Sequence, residues 1–241
     1  MRHCPKDIKD VPAALVGLVP PASAADIKEH LYKGEGVKDR LRHDQHDKCI
    51  FCECRINGDY GAIEHFRPKK GYTLYPDNTL ITPGYYWLAY DWSNLLMSCS
   101  QCNSSYKKNH FLLADESGRH IDKQKITDEE PLLINPSLEN PARYIEFHEH
   151  IAAAKTDANG DNPKGRHTID LLQLNGRPDL VRNRRRVWNN YQTEKNKLRI
   201  MEEMLDRGYV FDEIKQLVEL CRRTIAEMES PDGEYSAMFL P

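Results

Sequence analysis

Two pairs of cysteines carry the clearest chemistry in this chain, Cys49-Ile50-Phe51-Cys52 and Cys99-Ser100-Gln101-Cys102. A Cys-x2-Cys knuckle wraps its backbone so that two thiolates sit at tetrahedral spacing. Two knuckles fill four positions and leave none for water, which predicts a structural zinc site on Cys49, Cys52, Cys99 and Cys102. The alternative is four buried free cysteines, and the paired spacing favours zinc. Cys54 could displace Cys52 as a ligand or pack beside it. The 46 residues between the pairs exceed the usual spacing of a zinc ribbon, so something is inserted inside the clip. That insertion holds Glu64 and His65 side by side, and Asn103 directly follows the last cysteine. A carboxylate and an amide oxygen suit a hard, partly hydrated cation such as Mg2+ or Mn2+. A neutral histidine beside them can deprotonate water in phosphodiester hydrolysis. Each residue also has a plainer reading: His65 as a packed histidine, Glu64 as a surface carboxylate, Asn94 as a turn residue.

The elements that must hold these groups follow from pattern. Residues 1–22 read as an extended, proline-punctuated arm. Ser23 can cap a helix over 24–33 that Gly34 and Gly36 end, and a second polar helix covers 37–47. An Asn57-Gly58 turn leads to a strand over 62–66, where Glu64 and His65 point to opposite faces. Residues 67–84 are loop, 85–90 a buried aromatic stretch, 95–98 a strand and 100–109 a helix carrying Cys102, Asn103 and Lys107. Beyond a polar connection over 112–130, residues 131–136 form a buried extended piece. Residues 144–151 alternate as one strand with a mostly apolar face. Residues 157–161 look like a calcium loop but lack its glycine and its closing glutamate, so they are a turn. The remainder is helical: 168–174, then 178–207 opened by Pro178 and stopped by Gly208, then 211–228 with Ile214, Leu217, Val218, Cys221 and Ile225 inward.

Composition narrows the classes. At 241 residues, 39% hydrophobic and 29% charged, the chain can bury a core and is not a disordered segment. A net charge of −3 excludes nucleic-acid binding by overall charge and requires a local basic surface. Five bases (Arg67, Lys69, Lys70, Lys107, Lys108) face three acids in residues 61–110. Arg67, Lys69, Lys107 and Lys108 are therefore candidate phosphate contacts, with a solvated surface as the equal alternative. The run Arg182-Asn183-Arg184-Arg185-Arg186 must turn part of itself toward protein or nucleic acid if helical. Seven cysteines, an odd number in paired spacing, imply a reducing compartment. The apolar stretch 11–25 follows two acids and is broken by prolines, unlike a secretion signal, and a cytoplasmic location is expected.

With these residues in view, Glu64-His65, Asn94 and Asn103 inside a Cys-x2-Cys frame resemble the HNH (ββα-metal) endonuclease superfamily. Asn94 and Asn103 are nine positions apart, as are the middle and last motif residues in the HNH domains of RNA-guided nucleases. A closer similarity is to the HNH subunits of Septu-type antiphage systems, the PtuB family, which also accompany some retrons. It rests on Ile63-Glu64-His65-Phe66-Arg67-Pro68-Lys69, on Tyr90-Asp91-Trp92-Ser93-Asn94-Leu95, on 131–136, and on Tyr235-Ser236-Ala237-Met238.

The resemblance implies an α+β protein, a zinc-clamped ββα-metal core over 49–115 embedded in a mainly helical frame. An N-terminal arm and helices would fill 1–48, and a C-terminal helical region with a possible docking surface would fill 116–241. It makes His65 the general base, Asn94 the residue that orients it through the loop backbone, and Glu64 and Asn103 the ligands of Mg2+ or Mn2+. The acid is Glu64 where many relatives carry Asp, and Asn103 stands where others carry His, which favours Mg2+ or Mn2+. Expected partners are nucleic acid, DNA sooner than RNA, an ABC-type ATPase of the PtuA kind, and, for a retron-linked system, a reverse transcriptase. The chain has no G-x4-G-K-[ST] loop, so an ATP step would belong to the partner. The rival reading is a zinc-stabilised adaptor with an inactive HNH centre.

Overall fold

Residues 61–65 and 95–99 are far apart in sequence yet lie side by side as the central hairpin of the structure. In this computed structural model, which describes residues 1–7, 9–57, 61–119, 126–158, 160–209 and 211–240, β1 (Gly61–His65) pairs antiparallel with β2 (Leu95–Cys99). Glu64 stands opposite Leu96 and His65 opposite Leu95. Leu95, Leu96 and Met97 have no exposed surface, so β2 is the buried strand and fixes the register of β1. Helix α1 spans Glu29–Tyr32 and α2 spans Val37–Asp44. From just beyond α2, the buried Gln45 amide donates to the Met97 carbonyl at 2.8 Å and accepts from the Met97 N–H at 2.9 Å, acting as an extra rung beside β2.

The 66–94 insertion is held by aromatic packing. Phe66, Tyr85 and Phe111 meet edge to face with centroids 5.4–5.5 Å apart, and Trp87 and Trp92 are buried around them. At Gly84 the chain passes so close that a Cβ would lie 2.4 Å from the Pro68 carbonyl oxygen, so only glycine lets the loop return there. After β2 the chain turns into a π-helix, Gln101–Lys107, with Lys108 N–H bonded five residues back to the Asn103 carbonyl at 2.8 Å. Single π turns of this kind often mark functional positions.

The C-terminal part contains β3 (Ile145–His148) paired with β4 (Ile151–Ala154), and a short hairpin of β5 (Thr156–Asp157) and β6 (Gly160–Asp161). Then come α3 (Pro163–Leu171), α4 (Pro178–Asp206) and α5 (Asp212–Glu229). The buried residues of α4, Leu180, Arg184 and Tyr191, all lie in its first half, and those of α5, Val218, Cys221 and Ile225, begin only near its middle. The outer ends of the two helices therefore pack mainly on each other. Mixed helix and sheet matches the expected class. Residues 133 and 134 are fully buried within the expected extended piece 131–136.

Several sequence expectations need correcting. The helix expected over 24–33 is broken into a 3-10 turn, Ala24–Asp26, and α1, because the Lys28 N–H donates to the Tyr90 hydroxyl at 2.7 Å and leaves the helical ladder. The single strand over 144–151 is a hairpin that reverses at Glu149, whose φ is 59°, and Ile151 is turned outward. Leu217 is exposed, not inward. The Asn57-Gly58 turn falls partly outside the described residues, as does position 159 of the 157–161 turn. Among the described residues no helix is long and apolar enough to cross a membrane.

Candidate metal cluster and catalytic cleft

The first knuckle turns tightly after Cys52, with Glu53 at φ 60°, and the Glu53 N–H returns to the Cys49 carbonyl at 2.9 Å. The second knuckle straddles the end of β2 and the start of the π-helix, where the Cys102 N–H donates to Cys99 Sγ at 3.5 Å. The four Sγ atoms of Cys49, Cys52, Cys99 and Cys102 all lie within 4.8 Å of one another, and Cys52 and Cys99 are 3.8 Å apart. Tetrahedral Zn–S bonds of about 2.3 Å require sulfurs about 3.8 Å apart, so this cluster can hold one zinc ion. Cys54 is not in the cluster but lines the adjoining cavity with Cys52 and Cys99. Arg177, at the foot of α4, donates to Cys102 Sγ at 3.3 Å. Burial alone would lower its pKa, yet the thiolates of Cys102 and Cys52 hold it above the ordinary arginine value.

Twelve residues line a cleft of about 460 Å3 at the other end of β1, and Glu64, His65, Lys69, Asn103 and Lys108 are among them. The strand ends at His65, and both members of the Glu64-His65 pair line this one cleft, Glu64 bonded to Lys107 and the His65 ring to the Ala89 carbonyl. His65 is 4% exposed. Its Nε2 lies 3.0 Å from the Ala89 carbonyl oxygen and so carries the hydrogen, which leaves Nδ1 bare. Lys69 Nζ is 3.5 Å from that Nδ1, and the Tyr32 ring meets the imidazole edge-on with centroids 4.7 Å apart. Burial, then the charge of Lys69, pushes the His65 pKa down to about 3, so the ring is neutral.

Asn94 does not enter the cleft. Its Oδ1 accepts from the Arg67 N–H at 2.8 Å, and its Nδ2 donates to the carbonyls of Arg67 (3.1 Å) and Leu88 (3.2 Å). It thereby fixes the loop on which Ala89 holds His65. From the N-terminal arm, Lys6 is buried over the Trp92 ring and donates to the carbonyls of Trp92 and Leu95, pinning the turn that carries Asn94 from behind.

Two candidate phosphate contacts are placed elsewhere. Lys107 has no exposed surface; its Nζ is 2.6 Å from Glu64 Oε1 and 3.0 Å from the His65 carbonyl oxygen. It is an internal counter-ion because the π-helix turns it under β1. Arg67 is 9% exposed, ion-paired with Glu129 at 3.0 Å and stacked near Phe111 and Tyr85. Lys69 and Lys108 do line the cleft, with Lys70 of the same group of five bases, and Ser104 joins them, a residue that the sequence did not single out. Despite Lys107, burial raises the Glu64 carboxyl above its ordinary value. With one carboxylate and one amide, the donor set fits a cation that keeps most of its waters and takes oxygens from a phosphate.

His110 is bonded to Thr73 at 2.7 Å and packed by Tyr75, within the core. Of the basic run, Arg184 turns inward to the Leu174 carbonyl and Asn175, and Arg185 donates to His150 at 3.1 Å. Tyr32, the Ala89 carbonyl and Lys6 were not found from sequence, since none belongs to a motif and each comes from another part of the chain.

No protein-family model matches the chain. It is 38% identical over 165 residues, 68% of its length, to the Septu protein PtuB of Bacillus mycoides, of which the match covers 55%. It is 30% identical to a stretch of the Septu protein PtuA from the same organism, over 72% of this chain but 23% of that protein. A protein of retron Vc95 from Vibrio cholerae, whose name gives HNH endonuclease as an assigned candidate activity, is 31% identical over 80 residues, 32% of this chain and 34% of that protein. The chain spans about half the length of the PtuB relatives it matches.

Proposed function

We propose, from the premise that this chain is a PtuB-like protein, that it is a metal-dependent HNH endonuclease and the nucleic-acid-cutting subunit of a bacterial antiphage system. The observation that carries this reading is His65: a buried, neutral imidazole, oriented through Nε2 by a backbone carbonyl, with Lys69 Nζ 3.5 Å from Nδ1, lining a cleft together with Glu64 and Asn103. Residues 49–115 are the proposed nuclease core, with the hairpin of β1 and β2 and the following helix as its ββα unit. The cysteine cluster is the proposed structural zinc site, closed to substrate because all four positions are protein thiolates.

In this reading Lys69 and Lys108 hold the phosphodiester at the cleft. Glu64 and Asn103 would hold Mg2+ or Mn2+, which when bound polarises the phosphate and stabilises the leaving oxygen. His65 Nδ1 takes the proton from the attacking water, and the Ala89 carbonyl stabilises the imidazolium that forms. Asn94 keeps that carbonyl in place. A phosphate bound to Lys69 also offsets one of the charges that depress His65, making the base stronger when substrate is present.

Hydrolysis by water needs no 2′-hydroxyl, so DNA is a competent substrate class and is the one proposed, with RNA as the alternative. The similarity to a stretch of a PtuA protein supports a place in a Septu-type system. There the chain would work beside a PtuA-like ABC-type ATPase, with 116–241 as the docking side. One observation favours the rival, an adaptor with an inactive centre: Glu64 Oε1 is already committed to Lys107.

The test compares wild type with His65→Ala on duplex DNA, single-stranded DNA and structured RNA, with the ATPase partner, in Mg2+, Mn2+ or EDTA. The nuclease reading expects cleavage that is lost in both His65→Ala and EDTA while zinc content is unchanged. Equal cleavage by both proteins would remove His65 from the mechanism. Tight binding without cleavage would establish the adaptor.

A further inference from the structure

The ion pair beneath the cleft bears on the order in which the site is filled. Lys107 Nζ and Glu64 Oε1 are 2.6 Å apart, and neither side chain is more than 6% exposed. At that distance, away from water, the ammonium cancels most of the carboxylate's field. A divalent cation approaching the free protein meets a dipole at Glu64 and an uncharged amide at Asn103. Around it, Lys69, Lys70 and Lys108 line the same cleft. Glu29, which pairs with Lys70, is not among the lining residues and is 2.9 Å from Lys33 and 3.9 Å from Lys70. The free cleft therefore carries net positive charge, which attracts phosphate and disfavours Mg2+ or Mn2+.

We infer that this cleft takes up its divalent cation together with a nucleic-acid phosphate, and that Lys107 imposes this coupling by neutralising Glu64 in the free protein. The inference rests on the nuclease reading of the cleft and adds its order of assembly. A phosphate among Lys69, Lys70 and Lys108 brings both the negative charge and the oxygen ligands that the protein withholds. A sparsely liganded Mg2+ is ordinarily completed by substrate phosphates and water. Because linkage is reciprocal, the cation tightens nucleic-acid binding by the same factor by which nucleic acid tightens the cation. Lys107 is a positioning residue, since the same Nζ also holds the His65 carbonyl and so fixes the two neighbours relative to each other. A centre built this way stays free of metal while idle, even where Mg2+ is abundant.

The experiment measures Mn2+ binding to the full zinc-loaded protein by the electron paramagnetic resonance signal of free Mn2+, with and without nucleic acid. His65→Ala protein is used so that the duplex DNA or structured RNA is not cut, and Mn2+ bound by nucleic acid alone is subtracted. Fluorescence anisotropy reads nucleic-acid binding in EDTA. The expected result is nucleic-acid binding without metal and Mn2+ affinity about tenfold or more higher when nucleic acid is present. Lys107→Met in the same background is expected to bind Mn2+ about tenfold more tightly than its parent in the absence of nucleic acid. Equal Mn2+ affinity with and without nucleic acid, or an unchanged affinity in a folded Lys107→Met protein, overturns the inference. Should Lys107→Met fail to fold, Lys108→Ala replaces it, with a smaller gain in Mn2+ affinity of about twofold expected and no gain counting against the inference. Coupled binding without cleavage by wild type would leave the inference standing and remove the nuclease reading.

Discussion

The cysteine cluster and the cleft beside Glu64 and His65 are built on opposite principles. The cluster gathers four identical soft donors within 4.8 Å and leaves no room for anything else. The cleft has one acid, one imidazole and the amides of Asn103 and Asn109, is open to solvent, and is lined by three lysines. The first can be finished by a metal ion alone. The second is short of both charge and ligands, and its parts are held from outside, by Ala89, Asn94, Tyr32, Lys6 and Lys107. A cluster whose donors come in local pairs is robust to its surroundings, whereas the cleft depends on groups brought from five separate parts of the chain.

The sharpest way to break this contrast is at the cluster. Cys102→Ser removes one thiolate, and structural zinc sites contribute on the order of 10 kcal/mol to folding. Loss of zinc and of the cooperative thermal transition is the expected outcome; a folded, zinc-free protein with an intact transition would mean that the cluster is mere packing. Next in size is the pair under the cleft. Glu64→Leu strands the Lys107 charge and is expected to cost about 3–5 kcal/mol in denaturant unfolding. The double variant Glu64→Leu/Lys107→Met is expected to recover most of that loss, and no recovery would show that the two are not coupled.

A smaller effect is expected at the loop. Asn94→Ala removes the bonds to the Arg67 N–H and carbonyl and one of the two at the Leu88 carbonyl, which keeps the Asp91 N–H, a loss of about 2 kcal/mol. In the nuclease reading its turnover falls further than its stability does, because Ala89 drifts from His65. Unchanged turnover would confine Asn94 to a structural part. The gentlest probe is pH. His65 is held at about 3 against an ordinary 6.5, so as pH falls the unfolded chain takes up the proton first. The stability this group contributes is full above about 6.5 and lost as pH falls toward 3. Correspondingly kcat/KM, which reports the free protein, is expected to cross 6.5 without an inflection from His65. An imidazole inflection at 6.5 that disappears in His65→Ala would contradict the buried geometry.

What the sequence revealed follows the same divide. The paired cysteines, the strands around Glu64 and Leu96, and the long helix between Pro178 and Gly208 were legible because each is written in local spacing. The cleft was only half legible. Glu64, His65 and Asn103 do come together, but Lys107 and Arg67 look like surface cations in a list of charges. Their burial follows from the π-helix and from Glu129, neither visible in composition. Lys6 was unreadable for a similar reason, since no pattern in residues 1–22 ties them to Trp92 eighty-odd positions later. The reversal at Glu149 was missed because alternation continues across a tight turn and cannot distinguish one strand from two.

The polar contacts that surround Glu53, directly after the first knuckle, give the protein a schedule. Lys48 Nζ reaches the Gly233 carbonyl at 2.8 Å, and the Ala237 N–H reaches Glu53 at 3.3 Å. Both cysteine pairs are synthesised some 130 residues before these last partners, an interval on the order of ten seconds at the usual pace of synthesis. During that interval Lys48 and Glu53 have each other but not the backbone that later encloses them. A nascent chain can thus gather its four thiols early while the shell around them stays open, so that a truncated product stopped before residue 233 would expose the first knuckle to exchange and to proteolysis.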